Sequence, residues 1–132
     1  MAGWIGTFRA DKTATTILVL FIPSVDRFEA PIDQDYWVSE ALAVCGRWLG
    51  GATAFPQGRG VWRDDAREGL LVYDAPVIIQ SYTTEPTLEE HASELHSFLL
   101  RLGEEGRQGA VGFVIDRHYL EIRFPLKEAD HG

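Results

Sequence analysis

The chain has 132 residues, 45% of them apolar, and a formal net charge of −8, which suits one domain with one core and is too short for two domains of typical length. Such a charge excludes non-specific attraction to phosphate backbones or anionic membranes unless the positive residues gather on one face. The lone cysteine, Cys45, excludes an internal disulfide, and neither a secretory leader nor an apolar run of membrane-spanning length is present, so a cytoplasmic protein with no direct nucleic-acid or membrane contact is expected.

In chain order, Ile17 to Ile22 is a continuous apolar run, the pattern of a central strand buried on both faces. Pro23 to Pro31 is a polar loop, after which Asp33 can cap a helix whose apolar positions are Trp37, Ala41, Val44, Cys45 and Trp48. Gly50-Gly51 ends that helix. Ala52 to Arg63 reads as an irregular strand, Asp64 to Gly69 as a polar turn, and Leu70 to Tyr73 as the returning strand of a hairpin. Pro76 interrupts the return and argues for a bend before Val77 to Tyr82, a second buried run.

Thr87 and Glu90 have the spacing of a capping box, and Leu88, Ala92, Leu95, Leu99 and Leu102 make an apolar stripe along a second helix closed by Gly103 and Gly106. Ala110 to Ile115 and Tyr119 to Phe124 form one strand or, preferably, a hairpin turning at Asp116-Arg117-His118. The reading is a single domain over residues 13–126, with mobile ends at 1–12 and 127–132.

The order strand, helix, strand, strand, helix, strand matches the split βαβ arrangement, an α+β class in which an antiparallel sheet carries two helices on one face, here with an extra C-terminal strand. On this element order, from Thr15 to Phe124, the chain resembles ferredoxin-like βαββαβ domains. In Gly58-Arg59-Gly60-Val61-Trp62-Arg63-Asp64 it is similar to small uncharacterised bacterial proteins with a Gly-x-Gly-x-Trp-Arg hairpin. The resemblance implies a fold and a tendency to pair, since the open sheet face is often covered by a second copy. It transfers no active-site residues.

The segment from Gly50 to Asp65 holds four glycines, one proline, two arginines and a tryptophan, and is the best candidate for a working surface. On an extended strand Arg59 and Arg63 share a face, opposite Trp62, and would clamp a carboxylate or phosphate. The competing reading pairs them with Asp64, Asp65 or Glu68 while Trp62 fills the core between sheet and helices. Asp26 and Arg27 follow the carboxyl end of the first central strand, where α/β-type sheets gather ligands, although an Asx turn with a surface ion pair explains them as well. Tyr82 completes the set of candidate binding residues; His118, at the turn beside Asp116, would be a proton acceptor if that turn folds over the sheet and is otherwise an exposed turn histidine.

His91 and His96 are five residues apart on one helix, roughly 140° around its axis, the wrong spacing for a shared metal ion. Cys45 falls on the buried face of its helix, no serine sits in a nucleophile elbow, and Gly58-x-Gly60 lacks the third glycine and the strand-to-helix context of a dinucleotide site. The expectation is therefore no metal, no cofactor and no recognisable catalytic residue. The leading reading is a non-catalytic binding or accessory protein, a homodimer that meets a protein partner or small ligand through the hairpin and the open sheet face. The alternatives are a small-molecule enzyme of the dimeric α/β-barrel type and an acidic inhibitor of a nucleic-acid-binding protein.

Overall fold

The computed structural model describes residues 3–11 and 13–126; residues 1, 2, 12 and 127–132, part of the ends expected to be mobile, lie outside the described residues. A short helix α1 (Gly3–Thr7) precedes strand β1 (Thr16–Ile22). Helix α2 (Gln34–Val44) runs into a π turn at Cys45–Leu49. The short strand β2 (Thr53–Ala54) is followed by the hairpin β3 (Gly60–Asp64) and β4 (Leu70–Asp74), and then by β5 (Val77–Thr83). Helices α3 (Glu85–Glu90) and α4 (Ala92–Glu105) lead to β6 (Ala110–Ile115) and β7 (His118–Arg123).

The main sheet has the order β2-β5-β1-β6-β7, with every pairing antiparallel. Without the extra strand β7 and the inserted hairpin, this is the ferredoxin-like α+β arrangement expected from the element order. Residues 110–123 are indeed a hairpin, and Asp116 takes the left-handed conformation at its turn with φ of 54°, a conformation that aspartate tolerates better than most side chains. Its carboxylate accepts a hydrogen bond from Ile17 N at 2.9 Å, tying the turn to the start of β1.

Alternation along the strands divides the sheet into two faces. Leu18, Leu20 and Ile22 of β1, Val77 and Ile79 of β5 and Val111 of β6 are buried on the helix side with Trp37, Ala41, Cys45, Leu88, Leu95, Phe98, Leu99 and Leu102. The other face carries Val19 and Phe21, whose cross-strand neighbours are Gln80 and Ile78. β1 is thus half-buried on that face rather than buried on both, because no helix lies over it.

Three local expectations change. The helix after β5 starts earlier: Thr84 is its cap, accepting from Thr87 N, with Pro86 in the first turn, so Thr87 lies inside the helix. Gly103 is also inside its helix; its lack of a side chain is required because a Cβ there would collide with the Phe124 ring. The Arg63 strand and the Leu70 strand pair only with each other, as a two-stranded sheet separate from the main one. Trp62 therefore does not fill the sheet-helix core.

Asp33 caps α2 as expected, accepting from Tyr36 N at 3.1 Å, and Gly50 ends the helical segment with φ of 99°. Among the described residues no helix is long and apolar enough to cross a membrane. Because Leu20 is buried in the core cluster on the helix side and Val19 faces the open side, Leu20→Ala is expected to lower unfolding free energy by about 2–5 kcal/mol and Val19→Ala by about 1 kcal/mol. Urea denaturation followed by circular dichroism measures both.

Candidate active site

The hairpin β3–β4 folds across the open face of the main sheet. Trp62 and its partner Val72 point inward, and Val72 is fully buried although it stands outside the core cluster under the helices. Trp62 rests on the backbone at Gly109, where a Cβ would come within 2.7 Å of the indole, so only glycine admits the ring there. The cover that was expected from a second copy is supplied in part by the chain itself.

One side chain fastens this cover. Arg27 leaves the loop after β1, donates from one terminal nitrogen to Phe124 O at 2.7 Å, and meets Asp64 at the end of β3 at 3.5 Å. The two side chains are only 4% and 3% exposed. Arg67 returns a hydrogen bond to Arg27 O, and its guanidinium stacks 5.1 Å from the Phe28 ring centroid. Asp26 forms the expected Asx turn, accepting from Phe28 N at 2.8 Å and Ala30 N at 3.0 Å. Asp26 and Arg27 do not form the expected surface pair, however: both are buried, Arg27 meets Asp64 and Asp26 meets Arg107 at 4.0 Å.

Between hairpin and sheet lies a cleft of about 340 Å³. Its walls are largely apolar: Phe21 and Ile78 from the sheet, Val61 and Trp62 from the hairpin, with Pro23 and Pro76 beside the Ile22–Val77 pair. Tyr119 and Glu121 reach it from β7, Asp74 from β4, and Arg59 stands at its rim. The Tyr119 hydroxyl donates to Glu121 Oε2 at 3.1 Å. Burial raises the Tyr119 phenol above its usual range and Glu121 adds to the effect, so the ring acts as a proton-bearing donor. Gly112, opposite Glu121 in the β6–β7 ladder, leaves the space Tyr119 occupies. Partial burial raises the Asp74 carboxyl, and a backbone hydrogen bond from Ser24 lowers it in part.

The residues singled out from sequence are distributed unevenly. Arg59 and Trp62 line the cleft; Arg63 is exposed and ion-paired with Asp65 at 2.7 Å. The two arginines do not form a common clamp, since Arg59 precedes β3 and faces the rim near Asp74. Asp26 and Arg27 do not line the cleft: Arg27 fastens the hairpin to the end of the sheet and Asp26 holds its own loop, while Tyr82 lies on the open face at the far end of β5, 58% exposed. His118 is exposed at the start of β7, and His91 sits near Glu94 at 3.8 Å and against the Trp48 ring. Burial pushes the Cys45 thiol up to about 11.

The groups missed from sequence are Tyr119, Glu121 and Asp74. The first two are alternate residues of one strand, a spacing that puts them on the same face. Removing one member of the Arg27–Asp64 pair leaves a buried charge unpaired, so Asp64→Ala is expected to destabilise by about 3–5 kcal/mol, whereas Arg27→Met with Asp64→Leu costs clearly less. A double variant as unstable as the single one in urea unfolding contradicts this assignment.

No family model matches the chain, and no curated protein sequence matches it. Solved structures do. A phage SAM lyase in complex with S-methyl-5'-thioadenosine is 18% identical, with a TM-score of 0.67 over 87% of this chain and 96% of that one. A phage SAM lyase in its apo state is also 18% identical, with a TM-score of 0.63 over 90% of this chain and 97% of that one. These matches correct the leading expectation of a non-catalytic binding or accessory protein, because the chains that share the fold over nearly their whole length are enzymes. The small-molecule enzyme is the alternative that the likeness favours.

Proposed function

We propose that this protein is a small-molecule enzyme that binds a sulfonium nucleoside of the S-adenosylmethionine (SAM) type in the cleft beneath the hairpin and splits it to S-methyl-5'-thioadenosine. The observation that carries the reading is the cleft itself: aromatic and aliphatic walls with the carboxylates of Glu121 and Asp74 among its lining, in a fold shared with phage SAM lyases. Trp62 and Phe21 offer flat apolar surface to a purine. Glu121 and Asp74 offer negative charge to the sulfonium, in a protein whose net charge of −8 already favours cations.

The chemistry suits such walls. When the carbon–sulfur bond breaks, its electron pair stays on sulfur and the cation becomes a neutral thioether. A lyase adds no water, so the carbon left behind is closed by the substrate's own carboxylate, whose oxygen forms the new bond as the carbon–sulfur bond breaks. Positive charge disperses as this happens, and a largely apolar cleft does not penalise its loss. The carboxylates then act mainly in binding the cation, with Tyr119 holding Glu121 in place by its hydrogen bond.

Charge is the means of testing the reading. Glu121→Gln is expected to weaken SAM binding about tenfold or more, through the loss of its negative charge, and to leave S-methyl-5'-thioadenosine within about twofold. Trp62→Ala is expected to weaken both ligands about tenfold or more. Titration calorimetry measures the affinities, and chromatography of the thioether released from SAM measures turnover. A wild-type protein that neither binds nor cleaves SAM contradicts the proposal.

A further inference from the structure

The cleft does not end at Glu121. A second hollow of about 350 Å³ lies on the other side of Trp62 and shares Trp62, Ala110 and Glu121 with the first. Its character is different. Arg63 and Asp65 line it from the hairpin side, Glu121 and Arg123 from β7. Asp64, whose Oδ2 is buried with no hydrogen-bond partner among the described residues, lines it too. The residues that line this space thus carry both guanidinium and carboxylate groups.

This charge pattern fits a zwitterion. Arg123 binds Glu121 through Nε at 3.1 Å, and Arg63 binds Asp65 through Nε at 2.7 Å. Each guanidinium carries further N–H donors beyond Nε, suited to a ligand carboxylate, while the Asp65 and Glu121 oxygens suit an ammonium. The first cleft is apolar and the second is mixed in charge; Glu121 stands where they join. A molecule with a purine at one end, an α-amino acid at the other and a cationic sulfur between them has the same order of chemistry along its length.

We propose that the second hollow is the α-amino-acid subsite of this protein, with Arg63 and Arg123 holding the substrate carboxylate and Asp65 and Glu121 facing its ammonium group. The assignment rests on the sulfonium-nucleoside reading of the first cleft and adds the direction in which the substrate lies: nucleoside under Trp62 toward Phe21, amino acid toward β7 and Arg123. It also makes Arg63 and Arg123 determinants of specificity. They distinguish a ligand that carries the amino-acid end from one that lacks it.

The test uses two neutral thioethers that differ in this end, S-adenosylhomocysteine and S-methyl-5'-thioadenosine, so that the sulfonium charge plays no part. The wild-type protein is expected to bind S-adenosylhomocysteine about tenfold more tightly, and Arg63→Gln with Arg123→Gln is expected to remove that advantage while S-methyl-5'-thioadenosine binding stays within about twofold. Both substituted positions are exposed, and an unchanged thermal midpoint establishes that the variant is folded. An advantage that survives the double substitution, or no advantage in the wild type, overturns the subsite and leaves the nucleoside cleft standing. Failure of the wild type to bind either thioether overturns both.

Discussion

A guanidinium buried between a sheet and its covering hairpin holds together the parts of this molecule that enclose the cleft. Arg27 reaches Phe124 O at the end of the main sheet and Asp64 at the end of β3, so one side chain ties three segments that are distant in sequence. Burying an ion pair brings little net stability, because the desolvation cost offsets much of the attraction. Its effect is geometric: without the pair, the hairpin would be held mainly by Trp62 and Val72 against the sheet and by the links near its base, such as Gly58 N to Pro76 O at 2.8 Å.

That geometry explains why a ferredoxin-like sheet has an apolar cleft. A sheet with helices on one face leaves its other face to be covered or wetted. Here an insertion between the second and third strands of the common arrangement supplies a partial lid. The gap left between lid and sheet is floored by Phe21 and Ile78 and bounded by Tyr119 and Glu121. Small residues set the clearances, since Gly109 admits the Trp62 ring and Gly112 admits Tyr119. The glycine-dense hairpin stretch and the polar alternate residues of β7 are thus two sides of one site.

Much of the fold was legible in the chain. The strands at 17–22 and 77–82, the cap at Asp33 and the burial of Leu88, Leu95, Leu99 and Leu102 each follow a local signal, although the expected single helix breaks in two at His91 and leaves Ala92 exposed. The path of the hairpin was not legible, because pairing between β3 and β4 looks the same in sequence whether or not the pair joins a larger sheet. Arg27 and Asp64 read as surface charges for the same reason: their burial comes from a contact across 37 positions that no local pattern announces. Of the site, the hairpin arginine Arg59 and Trp62 were visible by composition. Glu121 and Tyr119 were hidden in a strand whose faces were unknown until the open side of the sheet was located.

The most direct test of the account is a crystal structure of the protein grown with S-methyl-5'-thioadenosine. The account predicts the purine between Trp62 and Phe21 beneath the hairpin, with the sulfur directed toward Glu121. Ligand density on the helix side of the sheet, at the exposed Tyr82 end, or nowhere on the protein at saturating ligand, would contradict it.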